Sequence, residues 1–241
     1  MPALRQATPA RIFLPRTGPA VSTPPLVSFR LAQGRARDAV YAAFAAPSLT
    51  APTVSVRSAA PDRRAYLMRP DLGRRLENDA PLAPHRGTYD LAIVLADGLS
   101  PAAIGAHASG LLEALLPDLE AWTLAPIVVA ENARVALGDQ VAAALGARAI
   151  LVLIGERPGL STPESLGAYL TWAPGPGTTD ADRNCVSNIH PAGLPYAAAA
   201  RTLLFLLTEM RRLQTTGIAL KDLSTHPQLP PGAPPLDTLA P

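Results

Sequence analysis

The chain has one cysteine, no long apolar segment and no targeting signal, and each of these shortages excludes a class of protein. It contains one cysteine among 241 residues, Cys185, so no disulfide can form within the chain, which indicates a reducing compartment. The best candidate for a membrane span, residues 141–154, is too short and is interrupted by Arg148, so we predict no transmembrane helix. The amino terminus lacks the apolar segment of a secretory signal and the amphipathic period of a transit peptide. A cytoplasmic protein is therefore predicted.

Lysine is almost absent, since Lys221 is the only one, and charge is divided unevenly along the chain. Residues 1–89 contain 13 arginines and 5 acidic residues, a balance of +8, whereas residues 90–241 contain 8 basic and 14 acidic residues, a balance of −6. A basic half indicates an anionic ligand, nucleic acid or an acidic protein partner. High-GC coding, which favours arginine everywhere, explains the bias equally well. No basic helix interleaved with aromatics is present, which disfavours nucleic acid.

Three kinds of chemistry lack their sequence patterns. The chain contains neither Gly-x-Gly-x-x-Gly nor a phosphate loop, which disfavours a dinucleotide or nucleotide enzyme. No second cysteine or histidine lies at metal-ligand spacing from Cys185, so no zinc site is predicted. A nucleophilic Cys185 would need a base, and the five-residue separation from His190 does not establish one.

The order of apolar segments predicts an α/β fold. Strands are expected at 91–96, 126–130 and 149–154, with a further one at 168–172. Helices are expected from Pro101 onward, at 137–145 with Gly146 as its terminator, and at 196–213. This alternation predicts a doubly wound, Rossmann-like parallel sheet, preceded by a Pro/Arg-rich and partly helical amino-terminal region.

Composition divides the chain into four regions. They are an extended Pro-rich arm at 1–25, a helical and irregular region at 26–89, the sheet domain at 90–225 and a Pro-rich tail at 226–241 that is predicted to be disordered. Within the second region, an amphipathic helix is expected at 26–44 and a short helix at 71–77. The amphipathic helix needs a surface to cover, either on its own domain or on a partner subunit.

Polar residues cluster where the predicted strands end. Glu156 and Arg157 follow the strand at 149–154, and ligands of open α/β sheets bind at this edge. They either pair with each other or reach across the sheet edge, where a buried carboxylate would accept hydrogen bonds from a ligand. Residues 97–100 either hold an anion at a helix start or simply cap that helix. Residues 182–189 combine charge, amide, thiol and hydroxyl without an apolar period, which predicts a loop that contacts something other than its own core.

These segments are parts of a longer series of motifs. The series reads Ala-Asp-Gly-Leu-Ser (96–100), Ala-Arg-Val-Ala (133–136), Gly-Glu-Arg-Pro-Gly-Leu (155–160), Asp-Arg-Asn-Cys (182–185), Ser-Asn-Ile (187–189) and Gly-Ile-Ala-Leu-Lys-Asp (217–222). Earlier motifs are Thr-Pro-Ala-Arg-Ile (8–12), Ala-Arg-Asp-Ala-Val (36–40) and Arg-Pro-Asp-Leu-Gly-Arg-Arg-Leu (69–76). In this order, the motifs resemble the small (light) subunit of ethanolamine ammonia-lyase.

The resemblance implies a subunit of a lyase that depends on adenosylcobalamin. In that family, ethanolamine becomes acetaldehyde and ammonia through a radical migration of the amine. A separate large subunit holds ethanolamine, and the small subunit covers the cofactor at the interface between the two chains. The family's cobalamin contacts map onto Val135, Glu156 and Cys185, with Cys185 packing near the corrin. The resemblance implies no catalytic or metal-binding residue in this chain, and no activity without the large subunit.

The form of the cofactor and the location also follow from the resemblance. Many cobalamin domains replace the cofactor's own base through an Asp-x-His-x-x-Gly motif, and none of the four histidines has this context. Base-on cobalamin is therefore implied, in a hetero-oligomer that is cytoplasmic or within a bacterial microcompartment. Two other functions stay open: a non-catalytic scaffold or shell-associated protein, and a stand-alone α/β enzyme that uses Asp97 or Glu156, with Ser100 and Cys185 as further candidates.

Overall fold

The computed structural model describes residues 10–224 of the chain. Near the start of this part, two short strands, β1 (Arg16–Thr17) and β2 (Ala20–Val21), pair in antiparallel fashion. They lead directly into the helix α1 (Thr23–Tyr41). The tail at 226–241, which the sequence predicts to be disordered, lies outside the described residues.

The predicted amino-terminal helix is present as α1, but its observed bounds differ from the predicted ones. The sequence predicts a helix at 26–44, whereas the observed one begins at Thr23 and ends at Tyr41. Pro24 and Pro25 occupy its first turn, where the backbone N–H groups have no partner within the helix and a proline costs nothing. The extended arm predicted for 1–25 is therefore wrong in its last residues, because the helix has already begun there.

The main sheet has six strands, most of them parallel. In chain order they are β3 (Thr53–Arg57), β4 (Tyr89–Ala96), β5 (Ile127–Glu131), β6 (Ala147–Gly155), β7 (Leu166–Trp172) and β8 (Asn184–Ile189). Their order across the sheet is β3-β5-β4-β6-β7-β8. The pairs from β3 to β6 are parallel, and β7 and β8 add antiparallel partners. The predicted α/β class is confirmed.

The two edge strands are absent from the sequence prediction. Strand β3 lies within the region predicted as helical and irregular, yet its alternating burial of Val54 and Val56 is typical of a half-buried strand. Strand β8 replaces the polar loop predicted at 182–189. Only Val186 and Ile189 of β8 are buried, so the apolar period that would have predicted a strand is too sparse to recognise.

Helices cover both faces of the sheet. They are α2 (Arg63–Met68), α3 (Pro70–Gly73), α4 (Pro101–Leu115), α5 (Leu137–Leu145) and α6 (Tyr196–Leu213), with 3₁₀ turns at Ala83–His85, Leu116–Leu119, Asp180–Asp182 and Gly217–Ala219. The predictions for α5 and α6 are confirmed, and Gly146 ends α5 with a φ of +79° as expected. The short helix predicted at 71–77 is α3, which ends earlier. Between residues 10 and 224, no helix combines the length and the apolar character needed to cross a membrane.

The central strand β4 shows how the two layers form. Leu91 and Leu95 join the core cluster that contains α4 and α6, whereas Ala92 and Ala96 join the cluster that contains α5. Because both faces are covered, β4 is apolar almost throughout instead of alternating.

The connections place a crevice at one edge of the sheet. The chain leaves β4 toward β5 on one side, and it leaves β6 toward β7 on the other. The carboxyl ends of β4 and β6 therefore form a topological switch point, where open α/β sheets bind their ligands.

Candidate functional site

A cavity of about 460 Å³ opens at this switch point. The loop after β5 contributes Arg134 and Val135 to its lining, and the chain that follows β6 contributes Glu156 and Arg157. Two residues that the family resemblance assigns to the cofactor, Val135 and Glu156, thus lie in the same cavity although 20 residues separate them in sequence.

Two glycines bring the turns after β4 and β6 together. Gly98 has a φ of +58°, and the adjacent N–H of Leu99 donates to the carbonyl oxygen of Gly155 at 2.9 Å. A Cβ atom on Gly98 would collide with that same oxygen, and one on Gly155 would collide with the carbonyl oxygen of Ser100. The tight turn expected at Gly98 is present, and it carries Leu99 to the cavity wall.

Asp97 and Ser100 have roles that the sequence did not predict. Asp97 is 1% exposed, and its carboxylate accepts from the backbone N–H of Ala133 at 2.9 Å and from Arg63 at 3.1 Å. The Ser100 hydroxyl donates to the carbonyl oxygen of Pro163 at 3.0 Å. Ser100 is the N-cap residue of α4 and Pro101 is its first residue, as predicted, although the Ser100 hydroxyl makes no capping hydrogen bond.

Burial sets the protonation of Asp97. Loss of solvent is the largest effect and raises the pKa of Asp97 to about 6, against the opposing hydrogen bond from Ala133 and the charge of Arg63. Arg63 also donates to the carbonyl oxygens of Val40 at 2.8 Å and Gly98 at 2.7 Å. One guanidinium thus ties the end of α1 to the turn that borders the cavity.

Glu156 is held in place by neighbours across the sheet edge. Its carboxylate accepts from the hydroxyl of Ser165 at 2.6 Å, and the backbone N–H of Asn188 lies 3.2 and 3.3 Å from its two oxygens. Of the two alternatives that the sequence left open, Glu156 reaches across the sheet edge. An ion pair with Arg157 does not occur in the described part of the chain. Since a carboxylate has about four acceptor positions, Glu156 keeps capacity for a ligand in the cavity.

Cys185 lies beside the cavity, next to one of its walls. It pairs across the sheet with Tyr169, which lines the cavity. Although the residue as a whole is exposed, burial of its sulfur raises the pKa of the Cys185 thiol, and the charge of Glu156 raises it further against a hydrogen bond with Tyr169. His190 is engaged with Asn188 at 3.0 Å. A neutral thiol without an adjacent base suits packing and not nucleophilic attack.

Within the segment 182–189, the side chains of Arg183 and Asn184 bind groups of the protein itself. The Arg183 guanidinium donates to both carboxylate oxygens of Asp139, at 2.8 and 2.7 Å, and it is only 7% exposed. The Asn184 amide donates to the carbonyl oxygen of Leu220 at 2.8 Å. The expectation that this segment contacts something outside its own core is wrong for these two residues.

The structure adds Tyr66 and Arg134 to the site. The guanidinium of Arg134 lies 4.8 Å from the ring centroid of Tyr66, and its buried Nε has no hydrogen-bond partner. Arg134 stands in one of the motifs, beside Val135, so the sequence contained a signal for it. Tyr66 lies in a short helix that is distant in sequence from the other site residues, and no pattern in the sequence marks it.

The donors and acceptors of the cavity suit a large polar ligand such as cobalamin. Glu156 offers a carboxylate acceptor, Arg134 offers unused N–H donors, and Val135 with Ile154 offers apolar contact. Nowhere between residues 10 and 224 do three His, Cys, Asp or Glu side chains form a group that could hold a metal ion.

Comparison with known proteins agrees with this geometry. The family model of the ethanolamine ammonia-lyase light chain (EutC) matches residues 1–221. The ethanolamine ammonia-lyase small subunit of Bradyrhizobium diazoefficiens is 53% identical over 234 residues, covering 92% of this chain and 90% of that protein. The corresponding subunit of Ralstonia nicotianae is 47% identical over 247 residues, covering 95% and 91%. Because the match runs through every loop that lines the cavity, the chain belongs to the ethanolamine ammonia-lyase light chain family.

Proposed function

We propose that this chain, as the small subunit of an ethanolamine ammonia-lyase, binds adenosylcobalamin at its interface with the large subunit. The cavity at the switch point carries the proposal, because Val135 and Glu156 line it and Cys185 packs against its wall. The reaction is the conversion of ethanolamine into acetaldehyde and ammonia. We place it in the cytoplasm, either free or within a bacterial microcompartment.

The residues of this chain bind and orient the cofactor. Adenosylcobalamin, when bound, supplies the radical chemistry that moves the amine group. Glu156, fixed by Ser165 and Asn188, accepts hydrogen bonds from peripheral amide or hydroxyl groups of the cofactor. Val135 contributes an apolar wall, and Cys185, a neutral thiol, fills space beside Tyr169.

The cofactor is expected to keep its own base on cobalt. None of the histidines in the described residues lines the cavity. His107 bonds with the hydroxyl of Tyr196 at 2.8 Å, and His190 bonds with Asn188. A histidine of this chain is therefore poorly placed to replace dimethylbenzimidazole.

The chain is expected to be inactive without its partner. Asp97 and Ser100, which a stand-alone α/β enzyme would need, are 1% and 0% exposed and are engaged with other groups of the protein. The cavity contains no nucleophile with an adjacent base. These observations favour the subunit over a stand-alone enzyme.

Helix α1 is the part that we assign to docking on the large subunit. Only Ala32 and Ala39 of this helix are buried, whereas Val27 and Leu31 are 58% and 55% exposed. Val27 and Leu31 lie one helical turn apart on the same side of α1, and a contiguous exposed apolar patch is typical of a protein–protein contact.

Co-expression with the large subunit tests the proposal. The purified complex should bind adenosylcobalamin, seen as cofactor absorbance that stays with protein in equilibrium dialysis, and should release ammonia from ethanolamine. The small chain alone should release none. A complex that assembles but retains no cobalamin would contradict the proposal.

A further inference from the structure

The cavity carries positive charge that its own residues do not neutralise. Arg134 and Arg157 both line it, and no carboxylate of the described residues lies within ion-pair distance of either guanidinium. The carboxylate in the same cavity, Glu156, is engaged with Ser165 and Asn188. Two cations and one carboxylate thus face this space, and neither cation has an ion-pair partner between residues 10 and 224.

Arg134 is held in position by its neighbours but has no ion-pair partner within the described residues. Its backbone N–H donates to the carbonyl oxygen of Gly73 at 2.9 Å, and its guanidinium lies 4.8 Å from the ring centroid of Tyr66, which is 1% exposed. Arg63 lies equally close to that ring but has Asp97 as its counter-ion. Arg134 has no such partner, and its only side-chain hydrogen bond, to the carbonyl oxygen of Tyr66, is long at 3.5 Å.

An anion is the ligand group that this arrangement suits. The Nε of Arg134 is buried without a hydrogen-bond partner, which is costly, and an anionic acceptor in the cavity would satisfy it. The planar fork of arginine matches the oxygens of phosphate groups, to which it donates two parallel hydrogen bonds. Arg157 is exposed at the rim and makes no hydrogen bond within the described residues, so it is free to join.

We propose that Arg134 and Arg157 bind the phosphodiester of the cofactor's nucleotide loop. This inference rests on the proposed function, because it takes cobalamin as the ligand. The phosphodiester is the one anionic group on the periphery of cobalamin, where the other polar groups are neutral amides and hydroxyls. Glu156 accepts hydrogen bonds from those neutral donors, so the cavity would bind both the neutral amides or hydroxyls and the anionic phosphodiester of the cofactor.

Binding measurements on the complex with the large subunit test the inference. The probes are adenosylcobalamin, adenosylcobinamide phosphate and adenosylcobinamide, of which only the last lacks phosphate. Arg134→Gln and Arg157→Gln should each weaken the binding of the first two at least tenfold and leave the third unchanged. Arg148→Gln is the matched control. Arg148 is also exposed, but it lies near the amino-terminal end of β6, whereas Arg157 follows the carboxyl-terminal end. The control should change none of the three.

The outcomes separate this inference from the proposed function. A wild-type complex that binds none of the probes overturns both. A complex that binds cobalamin, but whose variants lose equal affinity for all three probes or for none, overturns the inference alone. If Arg134→Gln prevents assembly, Arg157→Gln decides, since its exposed side chain has no contact to lose. Loss of binding for inorganic phosphate only, with cobalamin affinity unchanged, would assign the site to free phosphate and overturn the inference.

Discussion

The guanidinium of Arg63 lies 3.1 Å from the carboxylate of Asp97, and this ion pair joins the end of α1, the turn after β4 and the loop before Val135. Arg63 holds the end of α1 through the carbonyl oxygen of Val40, and Asp97 holds the loop before Val135 through the N–H of Ala133. A helix assigned to the partner interface is thereby connected to a loop assigned to the cofactor.

Breaking this pair should destabilise the fold. In Arg63→Gln, the carboxylate of Asp97 stays buried without its counter-ion, a change that costs about 3–5 kcal/mol in other proteins. Urea unfolding should show a loss toward the lower end of that range, because the Arg63 side chain is 18% exposed. Arg64→Gln, next to it and exposed, is the control and should change the free energy of unfolding by less than about 0.5 kcal/mol.

The stability of the protein should depend on pH through Asp97. Its pKa is raised from 3.8 to about 6 in the folded state, so the folded protein holds this proton more tightly than the unfolded chain does. The contribution of Asp97 to stability therefore falls as pH rises from about 4 to about 6, and it is constant above that.

Asp97→Asn removes this titration and isolates its effect. The free energy of unfolding of the wild type, relative to the variant, should rise by up to about 3 kcal/mol as pH is lowered from 7 to 4. Urea unfolding at several pH values measures it. A difference between the two proteins that does not change with pH would show that Asp97 titrates normally.

The sequence predicted the centre of the fold better than its edges. Helix α5 and helix α6 were predicted to the residue, because regular apolar periods and a terminating Gly146 mark them. Strand β3 and strand β8 were missed, since each buries only two side chains and short edge strands leave little period to read.

The candidate site was predictable in its position but not in its contacts. A strand followed by Gly155 and Glu156 indicates a ligand edge, and that is where the cavity lies. The partners of Glu156 could not be foreseen, because Ser165 and Asn188 reach it only through the antiparallel pairing of β7 and β8. The identity of the ligand came from the family resemblance and from no physical pattern.

The thiol of Cys185 should react slowly at neutral pH. Its pKa is raised, first by burial of the sulfur, so the reactive thiolate is scarce at pH 7 and increases at alkaline pH. Labelling with iodoacetamide, followed by mass spectrometry, is unambiguous because this is the only cysteine.

Cys185→Ala should keep turnover in the complex while weakening cobalamin affinity. Complete loss of turnover with cofactor fully bound would contradict a packing role.

Helix α1 should be needed for assembly. Val27→Asp combined with Leu31→Asp places two charges on the exposed apolar surface of the helix, and co-purification with the large subunit should fall at least tenfold. Ala143→Asp is the control, because Ala143 is exposed on α5 and has no large apolar side chain. Circular dichroism should be unchanged in all variants. Equal recovery of the double variant and the control would assign the partner interface elsewhere.

Glu156 should bind the cofactor and take no part in proton transfer. In Glu156→Gln, the charge-assisted hydrogen bond to cobalamin is lost, at a cost of about 1.5–3 kcal/mol. The dissociation constant for adenosylcobalamin should therefore rise about tenfold to hundredfold. Turnover at saturating cofactor should be largely retained, as steady-state assays of the complex would measure. Glu113→Gln, on the exposed side of α4, is the control and should change neither quantity. Unchanged affinity with collapsed turnover would instead make Glu156 a catalytic residue.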